Sequence, residues 1–327
     1  MHAPAGPARS GHALGDIEVA SAEVPSGSAW LVNCLIELGV PAWGPWGSDD
    51  RAHWLWLGGS RYRYVGGDNG WSRVLPALRD GREFAFREDR CVRAHHALPT
   101  ILPAAASRLL FVRDPLAALY SAWRRQCRST AHAPARDFAA FCASPFFHFP
   151  ICWADYLLLF LRVWRQAAAA GDVKVVRFED YRNDARATLL DVVRHLGIDA
   201  EARAIDAAVD ASSVERAQAE DQRLLRAGVV DTLIVRGAPP GEHERHLDSA
   251  TRSSIASRFV DISDWLGYGP VPAPEPAPMP ASAPEDVHAA VIAALHQAGA
   301  HVEADSWLWM AVQDATAGID LMPGRAE

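Results

Sequence analysis

The sequence predicts an α/β protein of three layers, with a central, mainly parallel sheet flanked by helices and a small helical appendage at the C-terminal end. Three observations carry this. Apolar β-like runs alternate with longer stretches of helical period from Asp16 to about Tyr268. Half of the 327 residues are hydrophobic, with 12 Trp and 11 Phe, enough for one large core. A Pro/Ala-rich run between Gly269 and Glu285 cannot build a core and separates residues 285–327 from the main body. The predicted organisation is a flexible tail at 1–15, a domain at 16–268, a linker at 269–284 and the appendage at 285–327.

The first strand is Ile17–Ala20, and a helix over Ser28–Leu38 comes after it. The segment from Val40 to Gly81 is rich in Trp and Gly and supports no assignment. Strands are then predicted at Cys91–Ala94, Leu109–Arg113 and Val173–Phe178, because each is a short apolar run bounded by polar or turn residues. Helices are predicted at Leu116–Arg128, Cys152–Ala169, Asp184–His195, Ser212–Ala227 and Ser249–Leu266. Ser282-Ala-Pro-Glu285 reads as a capping box that opens a helix over Val287–Gln297, which Gly299 can close. A second short helix around Trp307–Gln313 completes the appendage. Its apolar Trp307, Leu308, Trp309 and Met310 call for a partner surface: its own domain, a second copy in a homodimer, or a carrier.

Composition narrows the function. The first sixteen residues contain no apolar stretch behind a basic start, which predicts a cytoplasmic protein. The longest uncharged run, Phe138–Ala154, is broken by Pro145 and Pro150, so no transmembrane segment is predicted. Five cysteines without CxxC spacing favour neither a disulfide framework nor a metal site and suit buried packing. A formal charge of -8 argues against a nucleic-acid partner, while basic residues between Arg108 and Arg128 can hold a small anion. Lys174 is the single lysine among 32 basic side chains, so anion handling falls to arginine, histidine and backbone N–H groups.

Three stretches converge on such an anion. In Glu23-Val-Pro-Ser-Gly-Ser-Ala-Trp-Leu31, a strand-to-helix turn aims backbone N–H groups and the positive end of a helix at one point, which suits phosphate or sulfate. In Leu109-Leu-Phe-Val-Arg-Asp-Pro-Leu-Ala-Ala-Leu-Tyr-Ser121, a buried strand delivers Arg113, Pro115 opens a helix, and Ser121 lies two turns on. Guanidinium and hydroxyl can share one phosphate. Val235-Arg-Gly-Ala-Pro-Pro-Gly-Glu-His-Glu-Arg-His-Leu247 is a Gly/Pro loop with Arg236 and Arg245, able to fold over an anion or to run as a solvated connection. Each stretch alone also fits a structural role: a turn, a sheet-edge arginine, a surface loop.

Together they resemble the sulfotransferases that use 3'-phosphoadenosine 5'-phosphosulfate (PAPS). Val24-Pro-Ser-Gly-Ser-Ala-Trp-Leu31 is similar to that family's P-K-x-G-T-T-W-L loop, and Arg113 to Ser121 keeps its R-x7-S spacing. Val175-Val-Arg-Phe-Glu-Asp-Tyr181 with "ATLLDVVRHLGI" resembles its strand, Y-E-D-L and helix. Arg236-Gly237 and "GEHERH" are similar to its late R-K-G segment. The resemblance spans about Asp16 to Tyr268 and implies a P-loop-like fold.

It also implies PAPS as sulfuryl donor, in-line transfer without a metal, and an acceptor hydroxyl on a glycan or small metabolite. Ser26, Gly27, Ser28 and Ala29 would cradle the 5'-phosphosulfate, and Arg113, Ser121, Arg236 and Gly237 would hold the 3'-phosphate. Trp30 would stack on adenine, with Phe178 near that ring. The family's K-T-H segment is similar to Arg93-Ala-His95, making His95 the expected general base, with adjacent His96 second. Pro25 stands where the family's lysine neutralises the leaving phosphate. Backbone N–H groups with Arg93 or a loop arginine are one substitute, although a guanidinium is not a point charge. A non-catalytic or weakly active nucleotide-binding module is the alternative. An ATP-dependent P-loop kinase is disfavoured, because G-x-x-x-x-G-K-[ST] is absent. The tryptophans of 40–71, with Trp153 and the run Phe146 to Phe149, are candidates for an acceptor pocket, a sugar-stacking surface or core.

Overall fold

The computed structural model describes residues 17–269, apart from 44–53, 57–60, 65–74, 79–82, 88–89, 100–104, 128–136, 147–150, 172, 231 and 238–240. The expected N-terminal tail, the linker beyond Gly269 and the helical appendage lie outside the described residues.

The sheet is built on β1 (Ile17–Ala20), all four residues of which are buried. Five parallel strands lie in the order β2 (Ala42–Trp43), β6 (Val92–His95), β1, β7 (Ser107–Val112), β8 (Val173–Arg177). Parallel strands covered on both faces read as continuous apolar runs, and Leu109, Leu110, Phe111 and Val112 are all buried for that reason. Side chains alternate between faces. Ile17, Val19, Leu109 and Phe111 join one apolar cluster with α1 (Ser28–Glu37), α6 (Ala185–His195) and α7 (Ala202–Ala211). Ala20, Leu110 and Val112 join the other, with α2 (Pro115–Gln126), α3 (Phe138–Ala143), α4 (Trp153–Ala169), α10 (Ser249–Ala256) and α11 (Val260–Leu266). This is the expected three-layer α/β arrangement.

Local chemistry sets the helix ends. Gly27 takes a left-handed conformation, φ 92°, that lets the chain turn sharply into α1. Asp114 Oδ1 accepts from Ala117 N–H at 2.7 Å and Pro115 occupies the first turn of α2, where its missing N–H is no loss. Asp184 and Ser213 cap α6 and α8 (Val214–Arg226) in the same way.

Several expectations differ from the structure. β7 ends at Val112, so Arg113 lies just past the strand, and β6 runs one residue later than expected. β1 spans Ile17–Ala20 as expected, and 21–27 is the loop that leads into α1. The expected helix over Ser249–Leu266 breaks at a 3-10 turn, Ser257–Phe259, that drives Phe259 into the core. The unassigned 40–81 region contributes β2 and, with β5 (Glu83–Ala85), a small antiparallel sheet through β3 (Trp54–Trp56) and β4 (Arg61–Tyr64). The short helices α5 (Phe178–Asn183), α7 and α9 (Glu242–His246) were not expected. Among the cysteines, Cys34 and Cys142 pack in the core but Cys127 is exposed. Among the described residues, no helix is long and apolar enough to cross a membrane.

Candidate functional site

Ligands of open α/β sheets bind beyond the carboxyl ends of the strands, where neighbouring connections diverge to opposite faces. β1 and β7 diverge in this way here: the β1 connection leads to α1 on one face and the β7 connection to α2 on the other. A cleft of about 470 Å³ opens at this place, within the range of small-molecule sites.

Its walls collect most of the residues singled out above. Pro25, Gly27, Ala29 and Trp30 come from the β1–α1 turn, Arg113 and Ser121 from β7 and α2, Phe178 from α5, and Arg236 and Gly237 from the late loop. Ser26, Ser28, Arg93, His95 and His96 do not line it. Lys174 is far from any such role by its pairing, its Nζ lying 2.5 Å from Asp191 on α6.

The turn is tight. A Cβ on Gly27 would stand 2.6 Å from Phe178 Cδ2, so glycine is required both by conformation and by space. Phe178 carries the Arg113 guanidinium 4.6 Å above its ring centroid, while Arg113 Nη1 donates to the Pro25 carbonyl at 3.2 Å. Arg113 Nε is buried without a hydrogen-bond partner among the described residues, a donor suited to a bound anion. Burial lowers the pKa of Arg113 from the usual arginine value, and the carboxylates of Glu179 and Asp114 oppose that. Trp30 stacks on Tyr181, with centroids 3.8 Å apart, so Tyr181 covers a face of the indole.

The sequence reading missed the acidic half of the cleft. Asp114, Glu179, Glu242 and Glu244 line it, with Tyr181, Arg182, His243 and Tyr268. Glu179 accepts from Asp114 N–H at 3.2 Å and from Tyr268 O–H at 2.6 Å, fixing both beside Arg113. The "FEDY" and "GEHERH" stretches held these residues in view, but only the fold turns the two toward one another.

Comparison with known proteins points in one direction. Residues 86–226 match the family model described as a sulfotransferase domain. Over these 141 of its 327 residues the chain is similar to the sulfotransferase family. No curated protein sequence matches it. Among solved structures, mouse sulfotransferase SULT7A1 complexed with PAP is similar at a TM-score of 0.52 and 14% identity, over 76% of this chain and 83% of that one. Retinol dehydratase in a complex with retinol and PAP gives a TM-score of 0.49 and 13% identity, over 80% and 83%.

The two histidines sit differently. In the pairing register, Glu18 on β1 lies between Arg93 on β6 and Arg108 on β7. Its carboxylate is fully buried, receives His95 Nε2–H at 2.7 Å and Arg108 Nε–H at 2.7 Å, and lies 3.9 Å from Arg93. His95 Nδ1 accepts from Ala97 N–H at 3.1 Å, so both ring nitrogens are engaged inside the protein, and the side chain is 7% exposed. Burial lowers the pKa of His95 although Glu18 pulls it up. For Glu18, burial acts to raise the pKa, but His95 and Arg108 together hold it below the usual carboxylate value. Trp164 roofs this row, with Arg108 4.8 Å above its ring.

His96, 32% exposed at its side chain, turns instead to the β1–α1 loop. Its Nδ1–H donates to the Ser21 carbonyl at 2.8 Å, and Nε2 lies 3.1 Å from Glu23 Oε2. Ser21 Oγ is 2.9 Å from Ser28 Oγ, which in turn accepts from Ser26 at 3.4 Å, so the loop hydroxyls face His96. Phe146 and Trp153, offered above as acceptor-pocket walls, are buried core residues; Phe149 lies outside the described residues.

Proposed function

We propose that this protein is a sulfotransferase that moves a sulfuryl group from PAPS to a hydroxyl of a glycan or small metabolite, with the cleft as the nucleotide site. One observation carries the reading: a single cleft gathers Gly27, Trp30, Arg113, Ser121 and Arg236 from separate segments of the chain. They are the positions at which the family resemblance expects the nucleotide. The PAP named with the mouse sulfotransferase structure supports the same ligand class.

The residues present fit such a nucleotide. Arg113 Nε is a buried donor in want of an acceptor, Ser121 adds a hydroxyl, and Arg236 a second guanidinium. Trp30 and Tyr181 supply an apolar wall for a base. PAPS, when bound, supplies the group to be transferred and a phosphate leaving group. The Ser28 and Ala29 N–H groups, freed by the turn at Gly27, face outward at the start of α1 and can stabilise negative charge there.

We assign the base role to His96, because His95 is enclosed by Glu18 and Ala97 at 7% exposure while His96 is 32% exposed beside the loop hydroxyls. Its Nδ1 proton is held by the Ser21 carbonyl, and Nε2, already beside the Glu23 carboxylate, would take the acceptor proton with that carboxylate next to the imidazolium. A non-catalytic nucleotide-binding module is the second reading. Pro25 favours it: the residue lines the cleft and offers only a carbonyl, which Arg113 already engages.

The deciding measurement is calorimetric titration with 3'-phosphoadenosine 5'-phosphate (PAP), using ATP as control. Wild-type protein should bind PAP and prefer it to ATP, and Arg113→Ala should weaken binding by about thirtyfold or more. Folded wild-type protein that gives no heat with PAP would refute the nucleotide site. Turnover of PAPS on any hydroxyl acceptor, lost in His96→Ala, would remove the non-catalytic reading.

A further inference from the structure

Arg236, one of the two guanidiniums assigned to phosphate, already grips an anion of the protein itself. Its Nη2 donates to both carboxylate oxygens of Glu242, and the two side chains are only 17% and 16% exposed within the cleft wall. The two partners are held unequally. The segment carrying Arg236 is pinned to α8: Ile234 and Val235 N–H groups donate to buried Asp221 Oδ2 at 2.7 and 2.8 Å. Gly237, with φ 58°, packs so closely on α8 that a Cβ there would stand 2.4 Å from Gln218 Nε2. Glu242 sits on α9, a single short helix without a buried residue, entered through left-handed Gly241. Arg236 is therefore the fixed member and Glu242 the member able to leave.

We propose that Glu242 is a resident competitor for the phosphate that Arg236 takes, and so sets how tightly this protein holds its nucleotide. The inference rests on the nucleotide reading above. A carboxylate and a phosphate offer a guanidinium the same fork of acceptor oxygens, and a phosphate monoester carries the larger charge. A nucleotide with a second phosphate displaces Glu242 at the cost of one partly buried ion pair. A nucleotide without that phosphate leaves the pair intact. When product departs, the carboxylate recaptures Arg236, which favours release over rebinding. His243, the next residue, lies 4.0 Å from Asp114 Oδ1, so α9 is tied to the cleft by a second weak contact and is not lost when Glu242 swings out.

The test compares the affinities of wild type, Glu242→Gln and Glu242→Ala for PAP and for adenosine 5'-monophosphate, with thermal melts to confirm folding. Both variants should bind PAP roughly tenfold more tightly, with affinity for the monophosphate unchanged. In an Arg236→Ala background the gain should vanish, since the effect acts through that guanidinium. Unchanged or weaker PAP binding by the variants would overturn the inference alone, showing that Glu242 orients Arg236 rather than competing for it. An equal gain for the monophosphate would also overturn it, as a general charge effect. Absence of PAP binding by every folded protein would overturn the nucleotide reading and this inference with it.

Discussion

Glu18 holds a buried charge in the middle strand of the sheet, and its partners make it a stabilising residue only as a set. Glu18→Ala leaves the buried Arg93 and the largely buried Arg108 guanidiniums without their carboxylate, and unfolding free energy should fall by about 3–5 kcal/mol in denaturant melts. The pH dependence has a definite sign. His95 has a lowered pKa in the folded chain, so below its ordinary value of 6.5 the unfolded chain binds a proton that the folded chain does not, and stability falls as pH falls. The lowered pKa of Glu18 contributes stability present above 4.5 and lost as pH falls through its folded value. Melting temperature should therefore decline in two stages on acidification, and His95→Gln should shrink the first, to which His195 and His243, also lowered by burial, contribute. At the turn, Gly27→Ala must adopt φ 92° and meet Phe178, costing about 1–2 kcal/mol in a thermal melt and weakening PAP binding. Residue types at such sites were legible as Gly27, Arg113 and Arg236, because a turn glycine and a strand-end arginine need only local spacing. The row Arg93–Glu18–Arg108 was not legible, since it exists only once three distant strands adopt one register.

Helices divide into those whose ends are written locally and those whose position depends on packing. Asp184 caps α6 from an exposed place, so Asp184→Ala should cost about 1 kcal/mol and leave PAP affinity unchanged. Trp164 on α4 is fully buried, donates to the Ala97 carbonyl at 3.2 Å and roofs the Glu18 row; Trp164→Ala should cost about 3–5 kcal/mol. The same division explains what the sequence reading reached. α4 and α6 were placed to within a residue because caps and apolar periodicity agree there, and α1 because a turn glycine directly precedes its apolar run. The 3-10 break before α11 carries no proline or glycine and arises because Phe259 must enter the core. The β3–β5 sheet escaped notice because short strands in a Trp- and Gly-rich stretch show no clean alternation.

At the scale of the molecule, nucleotide binding and folding are linked, since the cleft is made of segments that only the native state brings together. PAP at about one hundred times its dissociation constant should add about 2.7 kcal/mol of stability and raise the melting temperature by roughly 5–10 °C. Arg113→Ala should melt below wild type without ligand, since it loses the Pro25 and Phe178 contacts, and should show no further rise on adding PAP.

By itself the sequence determined the α/β class, the order of the main strands and helices, and three of the segments that meet at the cleft. These depend on apolar period, turn residues and short spacings, all of which act within a few residues along the chain. Only the tertiary structure decided which aromatic covers Trp30, which histidine faces the loop, and that Arg236 closes on Glu242. Each is a question of which side chains from remote segments share one small volume, and that is settled by strand register and helix packing rather than by neighbours in sequence.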